Sequence, residues 1–338
     1  MFSYINCEMS RLARLTVVPT DTFQKSGYKR IPIFSIKSSA DSSAEYVFRS
    51  RLSEGRQAAH PYEENTVSLY YCAKEDDVIV VKTSPYTEVE EVNIIKHIST
   101  CPHVTNTRVL VDACVGYIAE KFDAKTSEGV HPKYFNCVLM EHGGATLERA
   151  KYMLPKEQKI IALIHLAKMC KKLLEYRLCY LDLKPANITF NKMTREMRFI
   201  DYGSIALEGD ADGCATYPPF RQPKGINIVG NAQNVIYGIG MMFIFLATEE
   251  TEKTYRYIVI SPKLKKTEQA HIEHTASDAM LQHITQLINT TECRISQQIL
   301  KNTLLKPTSI DNIVFLLEGM LDTLDFKDAL PIKSQSLP

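Results

Sequence analysis

Four polar side chains lie in two short segments that are otherwise bordered by apolar residues. Asp182, Lys184 and Asn187 belong to CYLDLKPANITF, and Asp201 follows Asn187 by fourteen residues in FIDYGS. Carboxylate and amide oxygens are hard ligands that suit Mg²⁺, which usually takes further oxygens from a substrate phosphate. One loop carboxylate is as readily a helix cap or a surface residue. The ordered set Asp-x-Lys-x-x-Asn followed by Asp-x-Gly is more specific, and it predicts a site for magnesium and a phosphate.

The elements around these residues place each loop beside a strand. Residues 155–177 carry apolar side chains at helical spacing after Pro155, which predicts a long helix just before Asp182. The runs NITF and MRFID, separated by the polar turn NKMTRE, predict two short strands. Asp182 therefore precedes the first of these strands, and Asp201 ends the second.

The chain before residue 142 is richer in strand patterns. The runs VSLYYCA (67–73) and DVIVVKT (77–83), joined by KEDD, predict a β-hairpin. The run TEVEEVNIIKHI (87–98) begins with a capping-box pair and predicts a helix. NCVLME (136–141) predicts a further strand, and the HGG that follows it predicts a turn.

These patterns predict an α+β protein with two lobes. The Ser-rich end of residues 1–44 is typical of a partly flexible N-terminal extension. We expect a small strand-rich lobe over 45–141, a larger and mainly helical lobe over 142–322, and a C-terminal tail over 323–338.

The two loops resemble motifs of the protein kinase family. YLDLKPAN resembles the kinase catalytic loop, and DYG resembles the magnesium-binding D-F-G. The similarity covers roughly 50–310 in the expected order, with VIVVK, EVNIIKHI, VLMEHGGATL, CATYPPF and RISQQILKNTL as further matches. It implies a bilobal protein-kinase-like fold, with an antiparallel N-lobe sheet carrying one helix. It also implies ATP and Mg²⁺ as cofactors and, from DLKPxN, transfer to Ser or Thr of protein substrates.

The resemblance implies a role for each polar residue of the two loops. Asp182 would orient or accept the proton of the attacking hydroxyl, and Lys184 would offset charge on the transferring phosphoryl group. Asn187 and Asp201 would hold magnesium.

The resemblance also implies an ion pair that holds the nucleotide. Lys82, at the end of VIVVK, would bind the ATP phosphates and pair with Glu91. Glu88 and Glu90 stand in the same first turns. We favour Glu91 because it shares a helix face with three isoleucines that should point inward, whereas Glu90 fits the capping residue.

Two further parts of the ATP site follow from the resemblance. Met140 would be the gatekeeper, and Glu141 and His142 would offer backbone groups to adenine. The Gly-rich loop is nearly absent, since Gly55 is the single glycine between 45 and 90. Several glycines normally let backbone N–H groups approach phosphate closely, so this loop is remodelled.

The residues before Asp182 also depart from the kinase pattern. Tyr180 and Leu181 stand where H-R-D has His and Arg. Without that arginine, no pocket for an activation-loop phosphate is evident from the sequence. We expect any activity to be independent of phosphorylation at Thr216 or Tyr217.

Two other functions fit parts of the pattern. A pseudokinase scaffold would explain the poor Gly-rich loop, but it has no need of the five retained polar residues Lys82, Asp182, Lys184, Asn187 and Asp201. A small-molecule phosphotransferase shares the Asp…Asn…Asp order, but Lys-Pro after Asp182 and the segment TYPP are more like protein kinases.

The bulk properties set the cellular expectations. The 338-residue chain has a formal net charge of +1, so no global field favours nucleic acid. Its longest apolar run is 13 residues against about 20 for a membrane-spanning helix. Nine scattered cysteines without a C-x-x-C pair favour buried thiols in a reducing compartment. We expect a soluble intracellular protein of the cytoplasm or nucleus, with no membrane partner. The sequence predicts no particular oligomeric state. Its compact, divergent character resembles kinases of large DNA viruses, which would place it in a host cell.

Overall fold

A computed structural model gives the structure of the chain over most of its elements. The residues that it describes are 15–18, 23–26, 29–32, 35–38, 41, 43–54, 66–85, 94, 98, 109–118, 131–191, 197–209, 211–212, 228–229, 231–247, 282, 284–286, 288–289, 291 and 293–322. The chain divides into two compact units, Met1–His142 and Gly143–Pro338. The first unit is built on antiparallel strands and the second mainly on helices, which confirms the predicted α+β class.

Nine strands are described in the N-terminal unit. They are β1 (Leu15–Val18), β2 (Phe23–Ser26), β3 (Lys29–Pro32), β4 (Ser35–Ser38), β5 (Glu45–Glu54), β6 (Thr66–Cys72), β7 (Asp77–Pro85), β8 (Val109–Ile118) and β9 (His131–Glu141). Seven of them form one antiparallel sheet in the order β1-β4-β5-β6-β7-β9-β8, and β2 pairs with β3.

The predicted hairpin is confirmed as β6 and β7. Its register pairs Cys72 with Asp77, and the turn between them includes Asp76 at φ 47°. Asp is one of the few residues besides glycine that tolerates this left-handed conformation. The alternation of inward apolar residues continues across the pair, so that Tyr70 and Ile79 are both buried.

The described core of the N-terminal unit includes residues from β1, β4, β5, β6, β7 and β9 of the sheet. Its buried cluster consists of Leu15, Ile36, Ala44, Tyr46, Tyr70, Cys72, Ile79, Val81 and Leu139. Leu15 in β1 and Ile36 in β4 come from the segment predicted as an extension, and both are almost fully buried. The domain boundaries stay predictions, but part of residues 1–44 contributes directly to this core.

The C-terminal unit combines short strands with helices. Its strands are β10 (Ala145–Thr146), β11 (Leu178–Tyr180), β12 (Ile188–Phe190), β13 (Met197–Phe199), β14 (Ile205–Leu207), β15 (Ala211–Asp212) and β16 (Ile228–Val229). Its α-helices are α1 (Leu147–Ala150), α2 (Lys156–Glu175), α3 (Ala232–Ala247), α4 (Arg294–Leu300) and α5 (Ile310–Asp322). Short 3₁₀ helices cover Lys151–Met153 and Pro185–Asn187, and a π-helical turn covers Lys301–Leu305.

Helix α2 is the long helix that the apolar spacing predicts. Pro155 caps its start, where a missing backbone N–H costs nothing, and Arg177 at φ 59° lies just beyond its end. Its buried stripe includes Ile160, Leu163 and Ala167. Ion pairs join its outer face to α5, with Lys168 at 2.7 Å from Glu318 and Lys171 paired with Asp311. The helix therefore forms a fixed support immediately before the Asp182 loop.

The apolar run at 235–247 lies in α3, and its side chains from Val235 to Leu246 are buried. The run is therefore a core helix of the C-terminal unit. In the part of the chain described above, no helix is both long enough and apolar enough to cross a bilayer.

Candidate active site

The two candidate loops of the C-terminal unit lie next to each other because the same two strand ladders hold both. Strand β11 pairs with β14, and β12 pairs with β13. At one end, the Leu181 N–H donates to the Ser204 carbonyl at 3.0 Å. At the other, the Ile200 N–H donates to the Asn187 carbonyl at 3.1 Å. The loop 182–186 and the loop 201–203 are therefore tied together at both of their ends.

The side chains of the first loop form a connected polar group around Asp182. The Lys184 ammonium lies 2.5 Å from Asp182 Oδ2, and Asn187 Nδ2 donates to the same oxygen at 2.7 Å. Asp182 is only 4% exposed, whereas the Lys184 side chain keeps 27% of its surface exposed. A buried carboxylate without partners would be strongly disfavoured, and here a cation and an amide supply the partners. The structure thus brings together the three residues that the sequence motif singled out.

The orientation of Asn187 is set by a second hydrogen bond. Its Nδ2 also donates to the backbone carbonyl of Asp182, at 3.1 Å. An amide nitrogen has two hydrogens, and Asp182 accepts from both. The amide oxygen Oδ1 therefore points away from Asp182, and it is the atom of Asn187 with the chemistry to bind a cation.

Asp201 lies directly after the residue that bonds to Asn187. It is partly exposed and follows β13, whose Phe199 is in register with Ile188. Its carboxylate and the Asn187 amide oxygen are hard oxygen ligands, so the residues present fit the chemistry of a magnesium site. No group of three or more His, Cys, Asp or Glu side chains with metal-binding geometry occurs among the described residues. A site made of one amide, one carboxylate and substrate oxygens does not require such a group.

Two contacts that the sequence did not single out support these loops. Leu183, between Asp182 and Lys184, is buried against α3, where a Cβ added at Gly238 would lie 3.1 Å from its Cβ and Cδ2 atoms. The ring of Tyr180 stacks on Phe199 with centroids 4.3 Å apart and an interplanar angle of 18°. The sequence features that could have predicted these contacts are the glycine at 238 inside an apolar helix and the aromatic Tyr180 just before Leu181.

The N-terminal unit places the predicted ATP-binding residues on two neighbouring strands. Lys82 lies in β7, with Val67 of β6 and Val138 of β9 as its partners in register. Met140 of β9 is buried and pairs with Val80. Glu141 ends β9, and His142 follows it.

Some predicted residues have limited description or none. Desolvation lowers the pKa of His142 below its ordinary value. Glu91 and Gly55 lie outside the described residues, as do Thr216 and Tyr217 of the activation segment. The predicted helix at 87–98 is described at two residues, Ile94 and Ile98, which are both helical.

Comparisons with known proteins identify the fold. No protein-family profile matches the chain, and no curated protein matches it by sequence. Solved structures do match, with 1941 chains in all. They include a protein kinase, which shows a protein-kinase-like fold, as the two loops implied. One of them is the kinase PK-1 of the Cydia pomonella granulovirus, with a TM-score of 0.51 and 13% sequence identity. The match covers 80% of this chain and 92% of the viral chain. At this identity the similarity establishes the fold, and the chemistry must be argued from the residues.

Proposed function

We propose that the protein transfers the γ-phosphoryl group of ATP to Ser or Thr hydroxyl groups of protein substrates. The observation that carries this proposal is the polar group in which Lys184 and Asn187 both contact the buried Asp182 carboxylate. The kinase-like fold and its similarity to the granulovirus kinase support the same conclusion. The Ser/Thr preference is supported by the Lys-Pro that follows Asp182 in the loop.

Asp182 is the proposed catalytic base. Its Oδ2 is held by Lys184 and Asn187, which fixes the carboxylate before a substrate arrives. An acceptor hydroxyl within hydrogen-bond reach would be oriented by this carboxylate and would pass its proton to it as the new P–O bond forms. ADP leaves with the electrons of the broken bond to the γ-phosphorus.

Lys184 is the proposed stabiliser of the transferring group. Its ammonium is both paired with Asp182 and partly exposed, so its charge lies where a phosphoryl group next to Asp182 would be. A positive charge held in place before the reaction stabilises the negative charge of the transition state without further reorganisation.

The remaining residues are proposed to bind the nucleotide and its metal. Asn187 Oδ1 and the Asp201 carboxylate would hold magnesium, which would supply positive charge to offset that of the phosphates. Lys82 is proposed to bind the ATP phosphates with Glu91 as its partner, and Gly55 belongs to the remodelled phosphate loop. Met140, Glu141 and His142 are proposed to line the adenine site.

The described cysteines support the intracellular setting that the composition predicts. Cys72, Cys170 and Cys179 are buried free thiols. Burial raises the pKa of the Cys179 thiol to about 11, so it stays protonated and unreactive at neutral pH. Stable free thiols of this kind are typical of a reducing compartment.

The test is phosphate transfer from labelled ATP to generic Ser/Thr protein substrates, measured for the wild type and for Asp182→Asn. The asparagine keeps an oxygen that can accept from Asn187 but loses the charge and the basicity. We expect the rate to fall by at least a hundredfold, within the range that general base catalysis contributes. Asp311→Asn, which changes an exposed carboxylate on α5, is the matched control and should keep the wild-type rate.

Equal rates for the wild type and Asp182→Asn would overturn the catalytic assignment. Nucleotide binding without any phosphate transfer by the wild type would instead favour the pseudokinase scaffold. Labelling of small alcohols or sugars with no labelling of proteins would point to a small-molecule phosphotransferase.

A further inference from the structure

Tyr202 occupies the position directly after Asp201, and its side chain folds back onto the same loop. The residue is buried, with 2% of its surface exposed. Its hydroxyl donates to the backbone carbonyl of Phe199 at 2.8 Å. This bond closes a ring of the chain around Ile200 and Asp201. A phenylalanine at this position could fill the same space but could not make the bond.

The acceptor of this hydrogen bond belongs to a residue that is itself fixed. Phe199 is the last residue of β13, its side chain is buried, and its ring stacks on Tyr180. Its partner in the ladder is Ile188, one residue after Asn187. The Tyr202 hydroxyl therefore ties the Asp201 loop to the strand pair that also carries Asn187.

Backbone hydrogen bonds complete the frame around Asp201. Besides the Ile200 to Asn187 bond, the Ile205 N–H donates to the Tyr202 carbonyl at 3.1 Å. The Ser204 carbonyl accepts from the Leu181 N–H at 3.0 Å. Each of these bonds has at least one partner within four residues of Asp201, and the Tyr202 hydroxyl is the contact among them that a single substitution can delete without touching the backbone.

We infer that Tyr202 is a positioning residue, whose hydroxyl holds the Asp201 loop in its ligand-binding conformation before any ligand is present. The identity of the ligand, Mg²⁺ with ATP, rests on the proposed function. A loop that is already ordered loses less conformational freedom on binding, so the hydroxyl lowers the magnesium concentration that binding needs. The lock is made of contacts within the C-terminal unit and requires no added phosphate, consistent with Tyr180 and Leu181 in place of His and Arg.

The first test measures the loop itself and does not depend on activity. Amide hydrogen exchange is followed in the ligand-free wild type and in Tyr202→Phe, with Leu181, Ile200 and Ile205 as reporter N–H groups. Loss of one neutral hydrogen bond should speed their exchange by roughly two- to tenfold. Tyr152→Phe removes a hydroxyl from a side chain that is 73% exposed and serves as the control. Exchange at the three reporters that is the same in Tyr202→Phe as in Tyr152→Phe would overturn the inference.

The second test measures the consequence for the metal. Binding of a non-hydrolysable ATP analogue is titrated calorimetrically over a range of Mg²⁺ concentrations. Tyr202→Phe should need roughly two- to tenfold more Mg²⁺ for half-maximal binding, while binding without Mg²⁺ is unchanged. A variant with lower melting temperature but wild-type Mg²⁺ dependence would show that the hydroxyl serves only the fold, and would refute the positioning role.

The two proposals can fail separately. If the wild type binds Mg²⁺ and nucleotide but transfers no phosphate, the proposed reaction fails and Tyr202 is still judged by the exchange and binding data. If transfer is normal in Tyr202→Phe at every Mg²⁺ concentration, the positioning role fails and the reaction stands.

Discussion

At the scale of single residues, the amide of Asn187 holds the proposed base Asp182 through its nitrogen and offers its oxygen as a proposed metal ligand. Both of its hydrogens go to Asp182, one to the carboxylate and one to the backbone carbonyl. The same geometry turns its oxygen away from Asp182. One side chain thus fixes the carboxylate and presents a cation ligand, which explains why an amide and not a second carboxylate is suited to this position.

This dual role makes a prediction about stability. Asn187→Leu keeps the volume but removes one donor from the buried Asp182 carboxylate, which keeps Lys184, and one donor from the Asp182 backbone carbonyl. We expect the free energy of unfolding to fall by about 1–3 kcal/mol, the range for a buried acceptor that loses its partner. Urea unfolding with an unchanged m-value would measure it.

A surface amide provides the matched control. Asn312 Nδ2 donates to Thr308 Oγ1 at 3.1 Å near the start of α5, and both residues are partly exposed, so water can reach this bond more readily than the buried one at Asn187. Asn312→Leu should cost less than about 1 kcal/mol. Equal losses for the two variants would contradict the burial argument for Asn187.

The spacing of Asp182, Lys184 and Asn187 within one short loop predicts that the three side chains lie close together. The structure places Lys184 and Asn187 in contact with Asp182, while the catalytic roles of the three residues stay predictions. The sequence did not indicate roles for Tyr202 and Leu183. Tyr202 acts through a side-chain bond to the backbone of Phe199, which leaves no sequence pattern, and Leu183 acts through Gly238, which is distant along the chain. A pattern of polar residues identifies ligands, whereas positioning contacts become visible only in the structure.

At the scale of elements, α3 supports the catalytic loop through an apolar contact. Gly238 lets Leu183 approach the helix backbone, since a Cβ there would lie 3.1 Å from two Leu183 atoms. The sequence has Asn or Gln in α3 where the kinase pattern has a bracing Asp. Packing of Leu183 on Gly238 is one contact in this structure that braces the loop from α3.

A pair of glycine substitutions tests this contact. Gly319 in α5 has nothing within 4 Å of an added Cβ, so Gly319→Ala should raise the free energy of unfolding by about 1 kcal/mol through helix propensity alone. Gly238→Ala should gain less, because Leu183 must shift by a few tenths of an ångström. Phosphate-transfer assays should show a lower kcat for Gly238→Ala with an unchanged KM for ATP, since the shift moves Asp182 and Lys184. Wild-type kcat in Gly238→Ala would exclude this support.

The elements themselves were predicted unevenly. The long helix α2 and the hairpin of β6 and β7 were confirmed because each repeats its apolar period several times. Strands β1 to β4 are four residues each and show too few repeats to stand out, so the segment was interpreted from its Ser-rich end. These strands are stabilised by pairing and burial, as for Ile36 in the N-terminal core. A local sequence pattern does not identify such long-range partners.

At the scale of the whole molecule, the fold is protein-kinase-like although no curated protein and no family profile matches the sequence. The two loops carry the polar residues that are proposed to act in phosphoryl transfer, while Tyr180 and Leu181 differ from the kinase pattern. Asn187 and Asp182 hold each other, Tyr202 holds Phe199, and Leu183 packs on α3. A chain can therefore retain the geometry of a site after its usual supports have been replaced by other contacts.

The response of the whole protein to nucleotide tests whether the proposed site binds Mg-ATP. A ligand present at a hundred times its Kd stabilises the folded state by about 2.7 kcal/mol. For a chain of this size we expect millimolar Mg-ATP to raise the melting temperature by about 2–4 °C.

Asp182→Asn should keep this shift because Asp182 is proposed to act on the acceptor hydroxyl. Asp201→Asn should lose the part that depends on magnesium, so its shift should be equal with Mg²⁺ and with a chelator. Lys82→Met should lose most of the shift, since its ammonium is proposed to bind the phosphates. A wild-type melting temperature that does not move with Mg-ATP would contradict nucleotide binding and, with it, the proposed reaction.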